Sequence, residues 1–408
     1  MPTFPEAHAR PAPAATPTDR PHRVAIVCDG IGDVIAGSFI STIRFAELLK
    51  ARGHRISFIS SGSLKRRGDR EYRGMPMHRF VGPLIPWSDG QLYLGIPSAA
   101  RLRRILRDEQ IELVHVMVPL PLGLLAVRVS KAMGLPVVMH SHTQPENIFM
   151  NAPRFPGLDA LNRRFCAYLN WIYGQADVMI YPSAFACRQF PALVGRPHVV
   201  ISNGVDRERF RPTTPDAFIR RFGLPANSRR LLYLGRLHKE KNVATLIRAV
   251  PQIRAQHPDT HLYLVGLGYE QPALVALARR LDVAPHVTFC GFVPDDELPA
   301  AIKAADLFVM PSLAELEGMA VLEAMACGKP LLVADAPDSA APDFVRDNGL
   351  LFRAGDADHL AAQACRLLGT AGRLTSRGAI SLEMSRRFDI HESARRIEAV
   401  YQSLLVST

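Results

Sequence analysis

The chain has 408 residues, 48% of them hydrophobic and 21% charged, with a formal net charge of +11 at neutral pH. This length is too great for one compact core, so two domains are predicted. No apolar run reaches the roughly 18 residues of a membrane-spanning helix, which excludes such a helix. The cysteines are scattered without a Cys-x-x-Cys pair, which argues against a disulfide framework or a zinc site and indicates a reducing compartment.

The positive charge is partly clustered in the first half of the chain, in "SLKRRGDREYR" and "ARLRRILRDE". Such clusters are typical of contacts with nucleic acid, phosphorylated small molecules or an anionic membrane surface. They are also typical of the solvated faces of an arginine-rich protein. Charge alone therefore leaves the class of partner open.

Residues 1–22 are rich in proline and alanine and lack the apolar segment of a signal peptide, so a disordered lead is predicted. An α/β pattern follows. A β-branched run over 24–28 enters a glycine-bearing loop and then a helix pattern with apolar residues between Ile40 and Leu49. A second strand is predicted at 56–60.

The same order of strand, glycine loop, helix and strand recurs over residues 229–268. Short apolar strands that alternate with longer helical patterns predict parallel sheets. Further strands are predicted at 113–117, 136–140, 178–181, 199–202, 287–289, 307–310 and 331–334.

The polar segment "ISNGVDRERFRPTTPD" separates the two series and indicates a domain boundary. We therefore predict an α/β protein with two Rossmann-like, doubly wound parallel-sheet domains, over residues 23–205 and 206–385. A final helix, 386–408, is expected to cross back to the first domain. Ligands bind beyond the carboxyl ends of parallel strands, so two domains facing each other across a cleft would share one site.

The first glycine loop, "CDGIGDVIAG", matches a dinucleotide-binding fingerprint only in part. Gly30 and Gly32 fit, but Ile35 occupies the third position and no acidic residue follows the second strand. The loop is interpreted either as a ligand-approaching loop that uses Gly37 and Ser38, or as a tight turn from strand to helix. "CGKPL" lacks the other elements of a Walker A loop, so an ATPase is not indicated.

Two cations follow a buried strand in "LGRLHKEKN". Arg236 and Lys241 lie in a loop that enters a helix, where backbone N–H groups and the helix dipole favour phosphate. Arginine offers a planar fork for phosphate oxygens and lysine a compact charge. The alternative is a pair of solvated surface cations.

A carboxylate interrupts the apolar helix pattern of "ELEGMAVLEAMACGKPLL". Glu323 is surrounded by apolar residues, and burial of an unpaired carboxylate is costly, so it needs hydrogen-bond donors, a protonated state or water. Ligand hydroxyls or a basic residue from another element would satisfy it. Glu315 precedes the helix, beside backbone N–H groups of residues 316–319 that suit a diphosphate. Glu315 is interpreted as an acceptor for sugar hydroxyls or as an ordinary carboxylate at a helix N-terminus.

Together these features resemble family 4 of the glycosyltransferases, retaining enzymes of the GT-B fold. The resemblance rests on Glu315 and Glu323 with seven residues between them, on "ADLFVMPS" before them and on "AMACGKPLL" after them. "SNGVDRERFRP", "YLGRLHKEKN", "LVGLGYE" and "VTFCGFVPDDEL" also match in type and order. The resemblance covers nearly the whole chain after residue 22.

The resemblance implies a nucleotide-sugar donor site with catalytic roles for several residues. Arg236 and Lys241 would bind the diphosphate and stabilise the departing nucleotide. Glu323 would hold the ribose hydroxyls, and Glu315 would contact the transferred sugar near its reacting carbon. Further donor contacts are implied for Gly318, Met319 and Ala320.

The remaining implied positions concern the base and the first domain. Phe292 and Val293 in "GFV" would border the base. "GLPVVMHSHTQPENI" resembles the loop that bears the family's sugar-contacting histidine, and its spacing points to His142, which would position the sugar during catalysis. Gly37 matches the flexible glycine loop near the phosphates.

Two departures from the family pattern concern the sugar pocket. Leu316 and Glu317 replace the small or aromatic pair of many members. In "DAPDSAAPDFVRDNGLLF" the usual glycine and glutamate are replaced, and Asp343 lies near the expected acid.

The acceptor is indicated by weaker signals. "HTQPENI" has the His-Thr-x-x-Glu spacing of relatives that glycosylate diacylglycerol. The basic, amphipathic stretches 64–73, 101–107 and 161–174 suit an enzyme on an anionic membrane, although 161–174 is also typical of a core helix.

The sequence thus predicts a cytoplasmic retaining hexosyltransferase, peripheral on the inner face of the cytoplasmic membrane. It would move a sugar from a nucleotide sugar, expected to be a UDP-sugar, to a membrane lipid or envelope glycan. No metal ligand set is found, and neither a metal nor another cofactor is expected. The alternative is a non-transferring nucleotide-sugar enzyme such as an epimerase on a similar fold. Nucleic-acid binding has no recognisable module to support it.

Overall fold

The computed structural model describes residues 20–31, 37–66, 68, 70–84, 93–96, 98–145, 149–151, 156–210, 214–369 and 371–406. Residues 1–19 of the expected disordered lead lie outside the described residues. Gly32 and Ile35 of the first glycine loop also lie outside them. The chain forms two compact units. The first comprises Met1–Pro145, Arg154–Asn203 and Ile390–Thr408, and the second Glu146–Pro153 and Gly204–Asp389.

The first unit is a parallel α/β sheet. Its strands lie in the order β3-β4-β2-β1-β5-β6-β7-β8, and all described pairs are parallel except β3 with β4. The elements are β1 (Arg23–Val27), α1 (Gly37–Ala51), β2 (Arg55–Gly62), β3 (Glu71–Tyr72), β4 (Met75–Val81), α2 (Ala99–Asp108), β5 (Leu113–Val116), α3 (Pro121–Ala132), β6 (Val137–His140), α4 (Leu158–Tyr173), β7 (Val178–Tyr181), α5 (Ala184–Arg188) and β8 (His198–Val200).

The second unit repeats this architecture with a parallel sheet in the order β11-β10-β9-β12-β14-β16. A short parallel pair, β13 with β15, lies beside it. The elements are α6 (Asp216–Phe222), β9 (Arg229–Leu234), α7 (Val243–Gln256), β10 (Thr260–Val265), α8 (Gln271–Arg280), β11 (Val287–Gly291), α9 (Leu298–Lys303), β12 (Leu307–Met310), β13 (Ala314–Glu315), α10 (Met319–Ala326), β14 (Leu331–Asp335), β15 (Asp338–Ser339), β16 (Gly349–Arg353), α11 (Ala357–Leu368) and α12 (Ala371–Ser385).

The last helix, α13 (Ile390–Leu405), belongs to the first unit and packs against α1. Its apolar side enters the core of that unit, where Ile397 and Tyr401 are fully buried. Its Glu398 accepts hydrogen bonds from Arg52 and shares one of 2.9 Å with His54. The first unit is therefore built from both ends of the chain.

Several central strands are continuous apolar runs, as is typical of parallel sheets with helices on both faces. The last four residues of β1, Val-Ala-Ile-Val, are all buried, and all of β10 is buried. The predicted pair of Rossmann-like parallel sheets is confirmed. No helix of the described residues combines the length and the hydropathy needed to cross a bilayer.

The stretch 161–174, for which a core helix was one interpretation, forms the greater part of a half-exposed helix, α4. Leu169, Ile172 and Tyr173 face the core. Leu161 and Trp171 of the same helix are exposed to solvent.

Candidate active site

The loop after β9 carries the two predicted diphosphate ligands. It is held by the Tyr233 hydroxyl, which donates to the Arg236 carbonyl at 2.6 Å. The loop after β10 packs closely on it, because a Cβ on Gly268 would lie 2.2 Å from the Leu237 carbonyl oxygen. Gly268, the second glycine of "LVGLG", thus permits the loops after β9 and β10 to meet at the carboxyl edge of the sheet, where ligands bind in this architecture.

Lys241 is buried at the end of a short 3-10 turn, Lys239–Lys241. Its Nζ lies 2.8 Å from Oε1 of Glu315, whose side chain is 14% exposed. The structure therefore joins two residues that lie 74 positions apart in sequence and that were singled out separately. A solvated surface lysine, the alternative interpretation, does not describe this cation.

Arg236 is held by a carboxylate that sequence reasoning missed. Its Nη2 donates to Oε1 of Glu240 at 3.0 Å, and the Glu240 side chain is fully buried. The second carboxylate oxygen of Glu240 accepts from Nδ2 of Asn151 at 2.7 Å. The Arg236 side chain itself is 39% exposed, so a charged fork remains accessible at the end of this network.

Glu323 lies inside α10 and is buried, as the apolar pattern around it predicted. The helix begins after Gly318, whose φ of +98° is a left-handed conformation that favours glycine. Met319 and Ala320 in the first turn are partly buried. The strand just before this helix, Ala314–Glu315, places the Glu315 carboxylate next to Lys241.

The other predicted positions of the second unit differ in exposure. Phe292 is half-exposed, whereas Val293 is buried and packs in the core of the unit. Of this pair, only Phe292 has an exposed side chain. Asp343 lies in a 3-10 turn, Ala341–Phe344, with its side chain exposed.

The two predicted residues of the first unit lie at the ends of β6 and α1. His142 follows β6 and is partly buried, and burial lowers its pKa to about 3, so the ring is neutral at physiological pH. Gly37 is exposed at the start of α1. Glu146, the acid of the His-Thr-x-x-Glu spacing, lies outside the described residues.

The carboxylates and histidines of the described ranges include no group of three or more that could hold a metal ion. Four charged groups of the candidate site instead form two ion pairs, Arg236 with Glu240 and Lys241 with Glu315. The Glu240 side chain is more buried than that of Arg236, and the Glu315 side chain is about as buried as that of Lys241. Such an arrangement presents fixed positive charge to an anionic ligand without reorganisation.

Comparison with known proteins identifies the family. The family model described as "Glycosyltransferase Family 4" matches residues 35–209, and the one described as "Glycosyl transferases group 1" matches residues 228–370. A GDP-mannose-dependent alpha-(1-6)-phosphatidylinositol monomannoside mannosyltransferase of Mycolicibacterium smegmatis is 32% identical over 295 residues, which cover 69% of this chain and 73% of that protein. The chain belongs to the family 4 glycosyltransferases.

Further comparisons agree with the assignment of this chain as a glycosyltransferase. A GDP-mannose-dependent alpha-mannosyltransferase of Mycolicibacterium smegmatis is 28% identical over 323 residues, 78% of this chain and 80% of that protein. The solved sucrose-phosphate synthase of Thermosynechococcus elongatus matches with a TM-score of 0.77 at 20% identity, over 95% of this chain and all of that one. Anabaena Alr3699/HepE in complex with UDP matches with a TM-score of 0.74 at 22% identity, over 94% and 100%. These structures show the GT-B fold.

Proposed function

We propose that this glycosyltransferase moves a hexose from a nucleoside diphosphate sugar to a membrane lipid or envelope glycan, with retention of the anomeric configuration. The observation that carries the proposal is the buried contact between Lys241 and Glu315 at the carboxyl edge of the second sheet. This contact supports the proposal because a cation suited to a diphosphate lies one hydrogen bond from a carboxylate suited to sugar hydroxyls.

The mechanism follows from the charges that develop. Cleavage of the anomeric C–O bond leaves positive charge on the sugar and negative charge on the departing diphosphate, which Arg236 and Lys241 stabilise. The acceptor hydroxyl attacks the anomeric carbon from the face that the diphosphate leaves. The new C–O bond forms as the hydroxyl proton passes to the departing phosphate oxygen. His142 binds the sugar as a neutral hydrogen-bonding ring, and Glu323 holds the ribose.

The donor is the first point to test. The sequence led us to expect a UDP-sugar, whereas several relatives that match more than two thirds of this chain are described as GDP-mannose-dependent. We therefore propose GDP-mannose as the leading donor and keep UDP-glucose as the comparison. The half-exposed Phe292 ring can stack on either base.

A donor panel tests the function directly. Purified protein is incubated with GDP-mannose or UDP-glucose and a lipid extract, and the products are analysed by mass spectrometry. We expect a glycosylated lipid with GDP-mannose. A glycosylated product from UDP-glucose alone would overturn the donor proposal. An epimerised nucleotide sugar with no glycosylated product would overturn the transferase proposal.

Replacing Glu323 with glutamine should raise the KM for the donor about tenfold and change kcat less than threefold, because a hydrogen bond to a charged group is lost from the bound nucleotide. Glu383→Gln is the matched control, since Glu383 is exposed on α12. The measurement is initial rates against donor concentration. An unchanged donor KM in Glu323→Gln would contradict a ribose-binding role.

For the acceptor and the location we propose a lipid at the inner face of the cytoplasmic membrane. The exposed side of α4 carries Leu161 and Trp171 together with two exposed arginines, Arg163 and Arg164. A basic and aromatic surface of this kind is typical of helices that lie in a membrane interface. On α2 three exposed arginines, Arg103, Arg104 and Arg107, oppose a buried apolar side.

The double replacement Arg163→Gln, Arg164→Gln should weaken binding to anionic vesicles about twenty- to thirtyfold, because each basic residue near such a surface contributes about 1 kcal/mol. Co-sedimentation with phosphatidylglycerol vesicles measures the effect. Arg279→Gln, Arg280→Gln is the control, because these arginines are exposed on α8 of the second unit. Equal losses in both double variants would show a non-specific charge effect and contradict the assignment of α4.

A further inference from the structure

Three histidine rings form a column in the first unit, at the carboxyl ends of β5 and β6. The His140 and His142 rings stack with centroids 4.2 Å apart and planes inclined by 21°. The His115 and His140 rings stack at 5.6 Å and 10°. We call these three rings the histidine column.

The column is enclosed by the core. His115 and His140 are fully buried, and Phe45 of α1 stacks on His140 at 6.0 Å. Within the described residues neither ring nitrogen of His140 has a hydrogen-bond partner. His140 therefore contacts its neighbours through its ring faces. Through this stacking it acts on the orientation of the His142 ring plane.

The far end of the column is anchored to the C-terminal helix. The Tyr401 hydroxyl of α13 and Nδ1 of His115 share a hydrogen bond of 2.7 Å, and the two rings meet edge to face at 5.7 Å. Tyr401 is fully buried, so this hydrogen bond is shielded from water. Burial also lowers the pKa of all three histidines, which keeps every ring neutral and free of mutual repulsion.

We propose that His115, His140 and Tyr401 are positioning residues that fix the ring plane of His142. This inference rests on the proposed function, in which His142 binds the transferred sugar. A stacked neighbour on one face of His142 leaves the edge of the ring for the sugar, and α13 determines the angle at which that edge is presented. Side chains that orient a catalytic group affect turnover even though they never touch the substrate.

Tyr401→Phe tests the anchor, since it removes a hydroxyl and keeps the ring. We expect kcat to fall about tenfold with the donor KM within twofold of the native value. In protein labelled with ¹⁵N-histidine, the imidazole signals of His142 should shift together with those of His115. The signals are assigned from His115→Gln and His142→Gln.

Three further variants separate positioning from packing. His140→Phe keeps a flat stacked ring and should retain kcat within about threefold, whereas His140→Leu removes the stack and should lower kcat about tenfold. Glu398→Gln loosens α13 at its other attachment, to Arg52 and His54, and should lower thermal stability while leaving kcat unchanged.

The proposal is overturned by an unchanged kcat in Tyr401→Phe, or by an equal fall in Glu398→Gln. It is also overturned if the His142 signals stay in place when those of His115 move. The imidazole spectra need no substrate. The spectra therefore test whether the histidine column orients His142 even if the native protein transfers no sugar. Absence of sugar transfer would overturn only the proposed function.

Discussion

Lys241→Met should lower kcat/KM by about 10²–10³-fold, the effect of removing one preorganised group that stabilises transition-state charge. Lys241 is buried and paired at 2.8 Å with Glu315, so no water or mobile cation occupies its place when the diphosphate departs. Methionine keeps the length of the side chain and removes the charge. The loss should also weaken binding of the free nucleoside diphosphate product, measured by calorimetry.

Lys239→Met is the matched control, because Lys239 lies in the same 3-10 turn and is exposed. It should keep kcat/KM within about twofold, since exposed charges are screened by water and salt. Thermal unfolding of both variants shows whether the fold survives. A loss of less than fivefold in Lys241→Met would remove this lysine from the catalytic set.

Glu240→Gln should lower kcat/KM by about ten- to a hundredfold through misplacement of Arg236. Glutamine has the same shape but no charge, so it cannot accept from both Arg236 and Asn151 as the carboxylate does. A melting temperature a few degrees lower is also expected, because the Glu240 side chain is fully buried.

A double-mutant cycle gives the decisive measurement for Glu240. If Glu240 acts through Arg236, the variant Arg236→Gln, Glu240→Gln should be no slower than Arg236→Gln alone. Glu297→Gln provides the control, since Glu297 pairs with Arg221 at an exposed site of the same unit. Additive losses in the cycle would show that Glu240 supports the fold and has no role in placing Arg236.

The fold was largely predictable because buried parallel strands are continuous apolar runs that sequence shows directly. β4, Met-Pro-Met-His-Arg-Phe-Val, was not predicted, because histidine and arginine interrupt its apolar pattern. β16 was missed as well. It is a short edge strand whose Gly349 is needed because a Cβ there would lie 2.4 Å from the Leu331 carbonyl oxygen. Close backbone approach of this kind leaves no periodic signal.

The site was predictable where one residue contradicts its own surroundings, as Glu323 does inside an apolar helix. Glu240 gave no such signal, because a glutamate between two lysines in "KEK" has the composition of a solvated turn. Its burial depends on Asn151, which lies 89 positions away, and on the direction of a 3-10 turn. The contact of Lys241 with Glu315 likewise joins distant segments. Such pairings are tertiary and cannot be read from spacing.

The attachment of α13 to the first unit sets the order in which the protein can mature on the ribosome. The second unit has emerged in full once Asp389 leaves the exit tunnel, whereas the first still lacks the helix that supplies Ile397 and Tyr401 to its interior. The first unit therefore cannot complete its core before the second unit has been synthesised, although leading domains generally fold first. A nascent chain of this enzyme carries an incompletely closed first unit until α13 has emerged, and a chain truncated before Ile390 would lack the helix that completes this unit.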